Sequence, residues 1–359
     1  MKTQFVEIFN NENEYLGTLV KEVKNRPSFS IEINGGYSDC SLKLDNSYTT
    51  DSEILAPLNI VRWYIDDDKY TDPVLIYTGY IGEVNYTREA SSEFVDVKLY
   101  AAHRQMYQLY YKNGTSYTVT QTSENVSDGI RDIIDYYQSI NTNYLIDYDG
   151  TTLETNTGVS YTFDYEKRRC FEAIEDTIQF FDPDWYFYIN SDGMVHVHEK
   201  SDEEDIILTV GKDVQVISPL KSAKGLINRQ RVEYNGGNTT VDSTTSQTSY
   251  GILEGNVISD TNIGDLTSAA LLATKVVTEG KDPVVTGEIE VNEAYSAGLE
   301  TLKPGMMIRL ANYTTEQELL DGLFTVAKVN YDFTKVSLEL GKVRTSFLKS
   351  LRLFVNVQQ

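Results

Sequence analysis

Along the first hundred positions apolar residues alternate with polar ones, and turn-forming residues break the alternation repeatedly. Phe5 to Phe9 alternates up to a hydrophilic turn at Asn10–Asn13, and Leu16 to Val23 resumes it. Ser28 to Ile33 and Cys40 to Leu44 alternate around a turn at Gly35–Gly36. Asn59 to Ile65 and Val74 to Tyr80 follow, with Asp66–Asp68 and Asp72–Pro73 between them. Ile81 to Tyr86 and Phe94 to Tyr100 form a last pair around Glu89–Ser92. A period of two puts successive side chains on opposite faces of a strand. Short strands at this spacing predict a sandwich or barrel.

The period changes after about residue 122. Val126, Ile130, Ile133, Ile134 and Tyr137 fall on one face of a 3.6-residue repeat and predict a helix. The pattern predicts a second helix over Tyr165 to Phe181, with Phe171, Ile174, Ile178 and Phe181 on one side and Asp164 as its cap. A hairpin follows: DWYFYI, a turn at Asn190–Gly193, then MVHVHEK. Residues 205–217 and 226–235 return to strand character, and the polar run Gly236 to Ser249 reads as a linker or exposed excursion. An Ala- and Leu-rich helix over Leu266 to Val277 ends at Gly280. Strands are expected at Val284 to Val291, Met306 to Leu310, Leu323 to Asn330 and Lys335 to Leu340. No internal repeat is visible.

At 359 residues the chain is long enough for two or three domains. Its 40% hydrophobic content supports real cores, and 26 tyrosines among frequent Thr, Val and Ile favour pleated, half-buried surfaces. The net charge of −23 repels phosphate, which argues against nucleic-acid or anionic-membrane binding by counterion release. A negative wall is compatible with a channel through which DNA slides without sticking; plain solubility is the simpler account. The N-terminal segment has no apolar signal core, and no stretch approaches 18 apolar residues. The expectation is a chain made in the cytosol, neither secreted by this route nor membrane-spanning.

Candidate chemistry is sparse. His196 and His198 share a strand face and could reach one ion, but two ligands do not make a site. The third histidine, His103, is far away in sequence, and nearby Glu199 and Asp192 lack a metal-ligand spacing. Asp66–Asp67–Asp68 lacks the alternating oxygens and glycine of a calcium loop and reads as an exposed hairpin tip. The runs Ser201–Asp205 and Glu12–Glu14 read the same way. Lys167–Arg168–Arg169 reads as the outer face of its helix or as a salt-bridging patch. Cys40 and Cys170 have no CxxC context and read as buried reduced thiols. Nucleophile elbow, P-loop and dinucleotide fingerprints are missing, so the expectation is no enzyme, no catalytic residue, no cofactor and no metal.

Three stretches, taken in order, resemble the hub proteins of phage tails and baseplates: the myophage baseplate hub and the N-terminal hub region of siphophage tail-associated tip proteins. The first runs through SFSIEINGGYSDCSLKL, NIVRWYI and LIYTGYIGEV, with Ile76, Gly79 and Ile81 in its I-x-x-G-x-I strand. The second holds the helix around Ala173–Ile174, then Trp185 and Asp192–Gly193, and leads through LTVGKDVQVI to Asn228 and the strand beyond it. The third has Tyr250–Gly251, a helix with Ala269, Ala270 and Ala273, VTGEIEV, and Leu302–Lys303–Pro304–Gly305 before MMIRL.

The resemblance implies a mainly β chain with an α+β insertion: two β-barrel domains of tail-tube-like type and a small α+β middle unit. Residues 1–105, completed by about 205–240, would form the first barrel, 106–204 the insertion, 241–345 the second barrel and 346–359 a C-terminal tail. It also implies a homotrimer whose six barrels make a ring at the virion tail tip, a partner for the tail tube or distal tail protein above and for a tip, fibre or tape-measure protein below. DNA would pass through the ring without specific binding. A host-surface carbohydrate-binding module and a cell-wall hydrolase with unmarked carboxylates are the alternatives. A glycan array and peptidoglycan zymography separate them from the hub.

Overall fold

The computed structural model describes residues 3–20, 23–45, 53–88, 93–123, 125–141, 143–156, 160–201, 203–217, 220–222, 225–292, 295, 298–311 and 323–341. The expected runs at Glu89–Ser92 and at 346–359 lie outside these residues, as does Asp202 within Ser201–Asp205.

The N-terminal part contributes β1 (Thr3–Phe9), β2 (Tyr15–Leu19), β3 (Ser28–Glu32), β4 (Cys40–Asp45), β5 (Ile60–Asp66), β6 (Val74–Arg88) and β7 (Glu93–Ala101). Six of these form a sheet in the order β2-β1-β5-β6-β7-β4, with antiparallel pairs throughout. The alternation is faithful to burial: Val6 and Ile8, Leu42 and Leu44, and Val95, Val97 and Leu99 are all buried on the inner face. Two segments expected as separate strands, Val74 to Tyr80 and Ile81 to Tyr86, are one 15-residue strand. Gly79 and Gly82 make this possible, because a Cβ on either would collide with the carbonyl or ring of Tyr100 on β7. The register shifts between Ile81 and Glu83, so the strand bends there instead of ending.

The two segments that alternate around the Gly35–Gly36 turn, Ser28–Ile33 and Cys40–Leu44, are strands that do not pair with each other. β4 pairs with β7, and β3 leaves for the far end of the chain.

The middle of the chain holds β8 (Thr118–Ser123), α1 (Val126–Ile140), β9 (Tyr161–Glu166), α2 (Cys170–Ile178), β10 (Trp185–Ile189) and β11 (Val195–Glu199). All five residues of the expected α1 stripe are fully buried. At about 2 kcal/mol each, that stripe removes roughly 10 kcal/mol of apolar transfer free energy from water, before chain entropy is counted. Asn125 caps the helix by accepting the Asp128 amide. Asp164 is not a cap: residues 161–166 are a strand paired with β8, where Asp164 accepts the Thr120 hydroxyl at 2.5 Å. α2 starts at Cys170, and the Arg169 amide donates to Glu172 there.

The C-terminal part contains β12 (Ile206–Thr209), β13 (Val214–Ile217), β14 (Leu220–Ser222), β15 (Arg229–Tyr234), β16 (Gly237–Asp242), α3 (Thr244–Tyr250), β17 (Ile258–Ser259), α4 (Leu266–Gly280), β18 (Val284–Asn292), β19 (Met307–Ala311), β20 (Leu323–Asp332) and β21 (Lys335–Gly341). The large sheet runs β12-β19-β20-β21-β18-β13, with β14 on β18 and β3 on β20. Its outer strands β12 and β13 are consecutive in sequence and touch at a Val210–Val214 bridge, so the sheet must curl into a half-barrel.

This pairing corrects the expectation that residues 205–240 complete the first barrel. β12 pairs in parallel with β19, while β13 and β14 pair with β18. Asp205 accepts the Met307 amide and Glu204 pairs with Arg309, which fixes β12 against the C-terminal strands. β15 stands in a small sheet with β16 and β17, packed against α4. Gly236 to Ser249 is no linker either: it supplies β16 and α3. β16 is polar except for Val241 and mostly exposed, so no apolar period marks it. Gly280 lies inside α4 and is tight against Ile227, with no left-handed cap.

Candidate functional site

The hairpin of β10 and β11 is where the three parts of the chain meet. Strand alternation sends Phe187, Ile189, Val195 and Val197 into the core and leaves Tyr186, Tyr188, His196 and His198 on the other face. Tyr186 lies opposite His198, and Tyr188 lies opposite His196. Tyr188 and His196 stack at 4.6 Å and 3°, and Tyr186 stacks along the strand on Tyr188 at 6.2 Å.

The two histidines expected on one face do meet there. His196 Nδ1 is 3.1 Å from His198 Nε2, and His198 Nδ1 is 2.8 Å from Glu154. Burial, followed by the His198 charge, pushes His196 down to about 4, so it is neutral at ordinary pH. Among the described residues no three His, Cys, Asp or Glu side chains converge on one point. The ladder is a Glu–His–His hydrogen-bonded chain against two tyrosines.

Each neighbouring part of the chain grips this hairpin. From the N-terminal part, Asn34 exchanges backbone and side-chain bonds with Phe187, and the Gly35 carbonyl accepts the Ile189 amide at 3.0 Å. The Thr78 amide of β6 donates to the Ser191 carbonyl at 2.6 Å. Asp147 bonds to both Gly193 and Val195 through its backbone. From the C-terminal part, Lys303 donates to the Asn190 side chain at 2.9 Å, and Gly305 lies under the Tyr186 ring. Of these residues, Gly35, Asn190, Ser191, Gly193 and Gly305 read in sequence only as turns and one Pro–Gly step. The left-handed φ values of Asn34 and Gly305 are the signal that the turn composition carried.

The other candidates are dispersed. Asp66 closes β5 and Asp67–Asp68 form the exposed turn before β6. Lys167–Arg169 precede α2 instead of lying on it. Arg168 pairs with Asp176 at 2.6 Å, and Arg169 donates to the Tyr107 carbonyl. Burial raises Asp176 to about 7 despite Arg168. Both cysteines are buried and unbridged; burial pushes Cys40 up to about 11 and Cys170 to about 12, which leaves them as thiols. His103 is buried between Gly36, Tyr37 and Phe171. No helix among the described residues is long and apolar enough to cross a membrane.

No protein-family model and no curated protein sequence matches the chain. Solved structures match it end to end. The 43 kDa tail protein of prophage MuSo2 from Shewanella oneidensis superposes at a TM-score of 0.63 with 10% identity, covering 95% of this chain and 98% of the other. A tail protein from Neisseria meningitidis gives 0.63 and 10%, covering 95% and 96%. Prophage tail protein gp18 from Listeria monocytogenes gives 0.58 and 10%, covering 98% and 99%. The chain has the fold of these tail proteins. That fold is mainly β, with the α+β unit between two strand-rich parts. At such low identity the likeness is one of fold alone.

Proposed function

We propose that this chain is a non-enzymatic structural protein of a phage tail or baseplate, a trimeric hub at the tail tip. The observation that carries the reading is the full-length match to three tail proteins, which accounts for at least 95% of this chain and 96% of each of theirs.

In this reading the two strand-rich parts are the ring-forming modules, with 205–222 belonging to the second of them. The unit at 106–204 holds them at a fixed angle through the hairpin junction. Three copies would place six such modules around one axis and bring the tube or distal tail protein on one side to the tip or fibre protein on the other. The net charge of −23 suits a channel wall along which DNA slides. The exposed acidic turn at Asp66–Asp68 is a candidate for its lining.

Mass photometry of the purified chain, followed by cryo-electron microscopy, tests the assembly. A particle of three copies with a central opening supports the hub. A monomer that persists at high concentration and in the presence of the tube protein overturns it. Duplex DNA binding at physiological salt would overturn the sliding wall while leaving the trimer standing.

A further inference from the structure

We propose that Lys303 and Asn190 join through an intramolecular isopeptide bond, with Asp192 as the group that moves the proton. The three side chains stand in the order this chemistry needs. Lys303 Nζ donates to Asn190 Oδ1 at 2.9 Å, so the amine sits at the carbonyl it would attack. Asn190 Nδ2, the leaving nitrogen, donates to Asp192 Oδ2 at 2.8 Å. The carboxylate therefore touches the atom that must gain a proton.

The arrangement is held from both sides. Asn190 is only 7% exposed, and its backbone closes the hairpin turn through bonds to Gly193 and Met194. Gly193 adopts φ +96° against the Leu145 carbonyl, where a Cβ would come within 2.0 Å. Asp192 is fixed by the Met194 amide at 2.9 Å. On the other side, Gly305 and Met306 pair with Val326 through the backbone, which anchors the turn that carries Lys303. Holding nucleophile, amide and proton carrier on rigid backbone replaces a bimolecular encounter by a local one. Desolvation holds the Lys303 amine below the ordinary lysine range, with Asp192 and Glu300 opposing it, and enlarges the neutral, nucleophilic fraction.

The step balances without any other reagent. The Lys303 amine attacks Asn190 Cγ and a C–N bond forms. Asp192 accepts a proton from the attacking nitrogen and delivers it to the amide nitrogen, whereupon the old C–N bond breaks and ammonia leaves. If the amine starts as ammonium, the extra proton departs with ammonia. The product ties two points 113 residues apart, one in the α+β unit and one in the turn that leads into β19. A tail component that must keep its shape under load would be locked across this junction.

Intact-mass spectrometry of the full chain, purified in its folded form, tests the proposal. The expected mass is lower than the sequence mass by one ammonia, and digestion yields a branched peptide that joins the Asn190 and Lys303 segments. Lys303→Met, Asn190→Ala and Asp192→Ala should each restore the sequence mass while leaving a folded circular dichroism spectrum. A folded wild-type chain at the full sequence mass overturns the proposal. So does a loss of ammonia that maps to a linear peptide, because that marks a succinimide at Asn190–Ser191 instead of a cross-link.

Discussion

The ring of Tyr186 lies against the α-carbon of Gly305, so closely that a methyl group there would stand 2.0 Å from ring carbon Cε2. Gly305 also holds φ +86°, a region that costs a side-chain-bearing residue about 1–3 kcal/mol. Gly305→Ala should therefore lower the denaturant midpoint through two separate causes. Removing the ring with Tyr186→Ala relieves only the collision, so the double variant should lose less than the sum of the single losses. Additive losses in the four-way comparison would mean that ring and turn are not in contact in solution.

Asn34 makes the matching contact from the N-terminal part. It holds φ +55°, accepts the Phe187 amide on Oδ1 at 3.1 Å and donates its own amide to the Phe187 carbonyl at 2.5 Å. Asn34→Gly keeps the backbone and loses one acceptor, a cost of about 1 kcal/mol. Asn34→Ala loses the acceptor and also strains the backbone, for roughly 2–3 kcal/mol. Unfolding curves should rank the wild type above the glycine variant and the glycine variant above the alanine one. Equal losses would show that the turn relaxes out of the left-handed region.

His103 gives the fold an acid-sensitive point. Burial, with a smaller effect from Arg104, pushes it from the ordinary 6.5 down to about 4. The unfolded chain therefore takes up this proton first as pH falls. Stability that is intact above 6.5 is lost on the way down through about 4, on the order of 3 kcal/mol in total. Asp176, raised to about 7, acts in the opposite sense because the folded state holds its proton more firmly. The clean readout is thus the difference between wild type and His103→Gln. The variant should lose less stability between pH 6.5 and 4, and parallel pH profiles would remove His103 as the cause.

Where one helix or strand face is buried, the sequence pattern was enough to find it. The α1 stripe and the inner residues of β1, β4 and β7 follow directly from their periods. What a period cannot carry is the identity of a partner, since backbone hydrogen bonds are the same for every residue. β3 shows this well. Its alternation marks a strand beside β4, yet it pairs with β20, where Phe29 stacks on Tyr331 at 5.0 Å and Glu32 meets Lys328 at 2.6 Å. β12 to β14 went to the wrong sheet for the same reason. The β8–β9 pair was hidden because α1 and its following loop lie between its strands. At the junction, Lys303 and Asn190 are ordinary loop residues until the fold brings them together. The family resemblance supplied the order of the parts, while the exchanges between them needed coordinates.

Lys275 provides the last prediction. It lies on α4 but is only 3% exposed, and its amine donates to the Ile178 carbonyl at 2.8 Å, at the C-terminal end of α2. A cation suits that end of a helix, and the Phe181 ring lies 5.9 Å away. Desolvation nevertheless outweighs the nearby Glu279 and Asp182 and lowers the amine from 10.5 to about 8. The folded state therefore releases this proton before the unfolded chain does. Stability should rise as pH climbs from about 8 towards 10.5, by on the order of 3 kcal/mol from this group alone. Lys275→Met removes its bond to the Ile178 carbonyl, which still accepts the Phe181 amide, and has no proton to release. Compared by denaturant unfolding at pH 7, 9 and 10, the wild type should gain on the variant at each step. A constant difference across the series would place the Lys275 amine in contact with water and dissolve its role as the tie between α4 and α2.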